Sequence, residues 1–350
     1  MKNKVTLKSI AAHFDLSVST VSRILNQKAE QFRISKETVE LVTKYANECG
    51  YSPNLIAKGL QASKTFTIGL MLPDIADPFF ANMAKQIGIA ALHSEYSILL
   101  VDNQYSIENE IRQMRNLLGR KVDGFIVAPA GNSFEHFTEA FKENVPLIFV
   151  DRYSKTGTIP YITSDNFQGA YNATKLLIDH GHKRIALIKG DEFIEPVKER
   201  YRGYLQAMHD AGIEVDKQLV VGNEFSIENG YDSVMLLLTN NIKQPTAILS
   251  MSSQIGLGVF KAIDEKGLSI PNDISLIIFD EQPYFAFLKT PITTIQQDSQ
   301  SIGEKAIGYL LNKIDNPKFE FSSQTIPVKL FERSSIKLLD CEMIESPFGQ

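Results

Sequence analysis

From Thr67 onward the chain alternates short β-rich apolar runs with helix-length amphipathic stretches, and that rhythm restricts the fold more than any other feature. Thr67–Leu72 (TIGLML) precedes a helix starting near Pro78, residues 97–101 precede one over 107–118, and 122–128 and Leu147–Val150 continue the series. Tyr161–Ser164 begins a second series, followed by 184–188, 219–221, 247–251 and 274–279. Strands separated by helices of about 10–15 residues build parallel, doubly wound sheets. The runs exceed one sheet's usual complement, so two lobes are expected, with 293–297 and 326–330 crossing back between them. Ligands of such sheets lie at the carboxyl ends of the strands, which here means between the lobes.

Ahead of this body, residues 6–26 read TLKSIAAHFDLSVSTVSRILN. Thr6 suits an N-cap, and Leu7, Ile10, Ala11 and Phe14 recur at helical spacing. Asp15 interrupts, Leu16 turns back inward, and Ser17 can cap a second helix with Val21, Ile24 and Leu25 on its inner face and Val18 partly buried. Two short helices joined by a tight turn form the helix-turn-helix unit, although a helical hairpin that binds nothing shares the pattern. Outward, the second helix offers Ser19, Thr20, Ser22, Arg23 and Asn26, with no acidic residue among them. These are small donors for phosphate oxygens and a guanidinium for a guanine edge. A third helix starts at Ser35 and stops at Gly50.

Charge separates head from body. Residues 1–65 carry 10 Lys and Arg against 5 Asp and Glu, net +5; the other 285 residues carry 26 against 36, net −10. A polyanion is therefore expected to meet the head alone. No run approaches the roughly 20 apolar residues of a bilayer span, and the basic start lacks an apolar segment behind it, which argues against export. Cys49 and Cys341 form neither a metal nor a redox spacing. The expected setting is a reducing cytoplasm, with the chain on the nucleoid.

Thr20-Val21-Ser22-Arg23-Ile24-Leu25-Asn26, followed by Tyr51-Ser52-Pro53-Asn54-Leu55-Ile56-Ala57-Lys58-Gly59-Leu60, resembles the headpiece and hinge of the LacI/GalR family of bacterial transcription regulators, and the likeness extends through the body. The resemblance implies an all-α helix-turn-helix headpiece and a two-lobed α/β body of the periplasmic-binding-protein kind. It divides the chain into a headpiece (1–50), a hinge helix and linker (51–65), an effector-binding and dimerisation domain (66–340) and a tail (341–350). The lobes are expected at about 66–162 plus 294–324 and 163–293 plus 325–340. Carried over by position, Val18 and Ser19 would read base identity, Arg23 would contact a guanine, and Ser17, Thr20, Ser22 and Asn26 would hold phosphates. Leu60 matches a leucine that wedges open the central base step, with Asn54 and Ala57 beside it. The hinge, from Pro53 to Gln61, is too short to be helical alone, and Gly59 costs it a further ~1 kcal/mol relative to alanine. It is expected to fold only when two copies meet on DNA, where an apolar wedge kinks the duplex.

The same resemblance places Phe80 (in Asp77-Pro78-Phe79-Phe80), Asp151, Arg200, Asp280 and Gln297 around an effector, with Phe79 in the core. Arg paired with Asp around an aromatic is the expected arrangement; each of these residues could equally be a satisfied structural pair. Three departures stand out. Asp15 replaces the usual turn glycine, and Asp tolerates left-handed geometry. The stretch 28–34 is a few residues longer than the usual loop, and its Lys28 and Arg33 either add phosphate contacts or are simply solvated. Ser252-Ser253 stand where the family shows Asn-Asp, so either the ligand is not an ordinary hexose or Ser252 takes over the asparagine's hydrogen bond.

No phosphate loop or nucleophile elbow occurs, and Gly256-Leu257-Gly258 lacks the third glycine of a dinucleotide fingerprint, with Lys261 at that position. His180-Gly181-His182 has no further ligands nearby. The expectation is thus a homodimeric repressor, not an enzyme, with no cofactor and no metal. It would bind a near-palindromic operator under control of a sugar or sugar derivative. The alternative is an exported sugar-binding protein of transport, for which the basic head has no use.

Overall fold

Capping and periodicity shape the first 65 residues, which form one of two compact units. The computed structural model describes residues 5–26, 28–51, 64–155, 157–239 and 243–339. α1 (Leu7–His13) starts at Thr6, whose side chain accepts from Ser9 N–H while Ser9 reaches back to Thr6 N–H. α2 (Val18–Leu25) starts at Ser17, which accepts from Thr20 N–H. Between them Asp15 takes φ 51°, the left-handed turn that the replaced glycine would have filled. A short 3₁₀ turn, Glu30–Phe32, leads to α3 (Lys36–Glu48), capped by Ser35 and followed by Gly50 at φ 63°. Ile10, Val21, Ile24, Val42 and Ala46 close the small core.

The second unit, from Phe66 on, holds two six-stranded sheets. The first is built from β1 (Thr67–Leu72), β2 (Ser97–Asp102), β3 (Gly124–Val127), β4 (Leu147–Val150), β5 (Tyr161–Ser164) and β11 (Gln324–Ile326), in the order β11-β5-β4-β3-β1-β2, all parallel. The second contains β6 (Ile185–Ile188), β7 (Val220–Val221), β8 (Ala247–Ser250), β9 (Ser275–Phe279), β10 (Thr293–Gln296) and β12 (Lys329–Phe331), in the order β12-β10-β9-β8-β6-β7, with β12 antiparallel to β10. The central strands are apolar on both faces because helices cover both sides. α4 (Pro78–Ala91), α5 (Ile107–Gly119), a short α6 (Thr138–Lys142) and α11 (Ser299–Asp315) serve the first sheet. α7 (Asn166–Asp179), α8 (Glu195–Asp210), α9 (Ile227–Thr239) and α10 (Ser253–Glu265) serve the second.

The lobe boundaries differ from expectation at two points. Tyr161–Ser164 does not open the second series: β5 pairs with β4 and β11 and completes the first sheet. β10 belongs to the second sheet, since Thr293, Thr294 and Ile295 pair with Ile277, Ile278 and Phe279. Ile295 is fully buried in the second core, which is why the chain crosses only after it. The remaining crossing lies between β11 and β12.

Candidate functional site

In the headpiece, α2 presents a surface free of acidic side chains. Ser19, Arg23 and Asn26 are exposed, Thr20 and Ser22 are half-buried, and Val18 is 41% exposed. Ser17 Oγ lies 2.7 Å from Ser19 Oγ and 2.8 Å from Thr20 Oγ1, and Asn26 Nδ2 donates to Ser22 O at 2.8 Å. The loop over 28–34 does one more thing: the Phe32 ring lies 3.8 Å from the Arg23 guanidinium carbon and restrains it. Asn54, Ala57 and Leu60 fall outside the described residues.

In the body, Phe80, Asp151, Arg200, Ser252, Asp280 and Gln297 all line one cleft between the sheets. Strand ends place them. Asp151 follows β4 with φ 62° and Asp280 follows β9 with φ 74°, so each lobe turns its chain through left-handed geometry to aim a carboxylate at the cleft. Gln297, just past β10, donates its Nε2 to Asp280 Oδ1 at 2.6 Å. Ser252 caps α10 by accepting from Ile255 N–H at 3.2 Å, the bond expected of the residue it replaces. Asp77 caps α4 by accepting from Phe79 N–H at 2.8 Å and so sets Phe80 one turn in. Phe79 lines the cleft as well as packing in the core.

Arg200 corrects the expected Asp–Arg pairing. Its Nε donates to Asn166 Oδ1 at 2.8 Å, its Nη1 donates to the Met251 carbonyl, and its guanidinium lies 3.8 Å over Phe279. Amide and carbonyl acceptors hold it, leaving Asp151 and Asp280 to face the cleft. Sequence reasoning also missed Tyr105, Arg152 and Phe225 in the lining. Arg152 is 3% exposed and donates Nη1 to Pro129 O at 3.2 Å and Ala130 O at 3.3 Å, with Nε 3.9 Å from Asp151 Oδ2. Phe80, Tyr105 and Phe225 surround it at 5.2 to 5.7 Å. Its place directly after Asp151 was the one available signal.

Burial governs the carboxyls. It pushes Asp77 up to about 7, aided by the charge of Asp280, and Asp151 up to about 6 against the pull of Arg152 and Arg200. Asp280 is raised by the same burial, opposed by Arg200, Gln297 and Ser253 N–H. Asp151 Oδ1 and Gln297 Oε1 are buried and have no hydrogen-bond partner among the described residues. The free space in the cleft is about 20 Å³, room for about one water.

A basic helix-turn-helix unit joined to a two-lobed body with a polar cleft defines a DNA-binding regulator with a ligand domain. Residues 6–54 match the family described as bacterial regulatory proteins, lacI family, and residues 65–334 match periplasmic binding proteins and sugar binding domain of LacI family. The chain belongs to the LacI family of transcription regulators. It is 32% identical over 342 residues to the transcriptional repressor PurR of Glaesserella parasuis, covering 96% of this chain and 99% of that one. The lac repressor dimer bound to operator and the anti-inducer ONPF superposes with TM-score 0.83 at 27% identity, covering 96% of this chain and 100% of that one. A LacI family regulator from Enterococcus faecium with bound ribose gives TM-score 0.72 at 28% identity, covering 78% and 100%.

Proposed function

We propose that the chain is a homodimeric repressor acting on the cytoplasmic nucleoid, whose operator affinity is set by an uncharged carbohydrate between the lobes. In this reading residues 1–50 bind DNA, 51–65 form the hinge, and 66–340 bind effector and dimerise. Ser17, Thr20, Ser22 and Asn26 hold phosphates, Val18 and Ser19 meet base edges, Arg23 reads a guanine, and Asn54, Ala57 and Leu60 enter the minor groove. A two-fold dimer calls for a near-palindromic operator; the operator-bound lac repressor dimer supports that geometry.

One observation carries the ligand class: Asp151 Oδ1 and Gln297 Oε1 are buried acceptors in one cleft without donors among the described residues. Buried acceptors left unpaired are costly, so the fitting ligand brings donors, as a polyol does. Three carboxyls, Asp77, Asp151 and Asp280, line the cleft against two arginines, and a ligand phosphate would add further negative charge to that buried set. Phe80, Tyr105 and Phe225 supply flat apolar faces for a sugar ring. The relative holding ribose on this fold agrees.

The test pairs a gel-shift titration on palindromic duplexes with a thermal-shift screen of sugars, sugar phosphates, nucleosides and bases. A ligand at 100 times its dissociation constant stabilises by ~2.7 kcal/mol. Salt-dependent binding that a neutral sugar alters is expected. DNA binding indifferent to salt, or a sugar phosphate as the strongest ligand, refutes the reading.

A further inference from the structure

Beside the cleft lies a second cavity of about 220 Å³, which shares Arg152 and Ile194 with the cleft wall. Its other walls come from both lobes: Asn132 and Phe134 beyond β3, Tyr153 beyond β4, and Phe193, Glu195 and Lys198 at the start of α8. An apolar cavity of about 150 Å³ takes up benzene, so this space is large enough for one pyranose ring with its hydroxyls.

The lining is suited to such a ring. Lys198 Nζ donates to Glu195 Oε1 at 2.7 Å, and Lys155 Nζ lies 3.5 Å from Glu195 Oε2. The charges at this end are thus paired and offer donors and acceptors without demanding an ionic ligand. At the mouth Phe193 is 60% exposed, an apolar ring face of the kind the C–H side of a sugar covers. The first-lobe wall is preformed. Fully buried Glu110 accepts from Ala130 N–H at 2.7 Å and Asn103 Nδ2 at 3.2 Å, and His136 Nε2 lies 2.9 Å from its other oxygen.

We propose that the effector is an oligosaccharide of at least two rings, with its inner ring in the cleft and its next ring in this neighbouring cavity. Arg152 stands at the junction and lines both spaces. The proposal rests on the carbohydrate reading above.

The test is calorimetric titration of the intact protein with matched sets: glucose, maltose, cellobiose and maltotriose; galactose, lactose and melibiose; and hypoxanthine as a non-sugar. At least one disaccharide should bind about tenfold or more tighter than either of its constituent rings, roughly the worth of one or two hydrogen bonds. Phe193→Ala and Asn132→Ala, both at exposed positions, should weaken that disaccharide about five- to tenfold and leave the monosaccharide constant unchanged. A disaccharide no tighter than its constituents, or variants that weaken both alike, overturns the two-ring proposal and leaves the carbohydrate reading standing. Hypoxanthine as the ligand, or no sugar binding, removes the carbohydrate reading and the proposal together.

Discussion

Asp151 turns the cleft into a pH-dependent one, with opposite signs for ligand affinity and for stability. Burial holds its carboxyl protonated up to about 6, whereas a free aspartate ionises near 3.9. A ligand hydroxyl donating to Oδ1 is favoured by the ionised form, so at low pH binding must also expel a proton. With a value of about 6, about ten carboxyls are protonated for each one ionised at pH 5, and almost none at pH 7.5. Affinity should therefore fall about tenfold between pH 7.5 and pH 5 from this group alone. Asp77, raised to about 7, faces the same cleft and steepens the fall if the ligand reaches it.

Stability runs the other way. A carboxyl whose folded value lies above its unfolded value makes the folded state the better proton binder between about pH 4 and 6, so its contribution falls as pH rises through that window. About two units correspond to ~3 kcal/mol of destabilisation at neutral pH. Asp151→Asn, whose amide tolerates the left-handed backbone, should thus be more stable than the parent at pH 7.5 and lose that advantage by pH 4. It should also flatten the part of the affinity slope near pH 6. The assays are calorimetric titration with the strongest sugar of the screen, in buffers of different ionisation enthalpy to count protons released, and thermal melts of both proteins. Wild-type affinity that is flat or rises toward pH 5, or a variant with the parental slope, refutes the assignment of Asp151 as an acceptor of ligand hydroxyls.

Gly258→Ala would set its Cβ 1.9 Å from Ile227 O and 2.6 Å from Tyr231 N, so α9 and α10 must part; overpacking costs ~1–3 kcal/mol or more, read as a lower Tm. Ser252→Ala removes the acceptor that caps α10 and should cost ~1 kcal/mol by denaturant titration without altering DNA binding. Arg23→Ala should weaken the preferred duplex by ~1–3 kcal/mol and erase preference at one base pair per half-site, measured by selection from a randomised palindrome; a preference that survives removes Arg23 from base reading. Spin labels at exposed Glu135 and Glu224, with Cys49 and Cys341 replaced, should move apart by about 3.5–4 Å, one layer of atoms, when sugar binds. An unchanged distance means that withdrawal of Arg152 alone makes the room.

Local rules carried much of this fold and stopped where pairing partners are chosen. Thr6, Ser17 and Ser35 announced their helices because a hydroxyl before an apolar helical period has one good use. The β-rich runs of the body were legible because short apolar runs between helical periods fit a buried parallel strand. β5 and β10 were assigned to the wrong sheets because a strand's own residues do not encode which edge it joins; Ile295 settles in the second core only through its contacts there. At the cleft, Asp151 and Asp280 could be found at strand ends, and Phe80, Arg200, Ser252 and Gln297 converge on the same space. What anchors Arg200 was not legible, since Asn166 and the Met251 carbonyl lie 34 and 51 positions away. Nor was the Phe32 stack on Arg23, because loop residues show no period from which a direction could be inferred.

The volumes and charges of the cleft explain how such a protein can couple a small ligand to DNA. Space for about one water between two lobes means that a ring cannot enter without moving something, either the lobes themselves or a lining side chain such as Arg152. The ligand's differential affinity for the wider form is then the free energy available to bias the lobe angle, typically 1–3 kcal/mol in coupled systems. A neutral ligand suits this task. In the proposed reading it would satisfy Asp151 Oδ1 and Gln297 Oε1 on opposite sheets without adding charge that the buried arginines would have to rearrange to meet. Its binding would then read out as geometry between the lobes, to which a pair of headpieces on adjacent half-sites would respond.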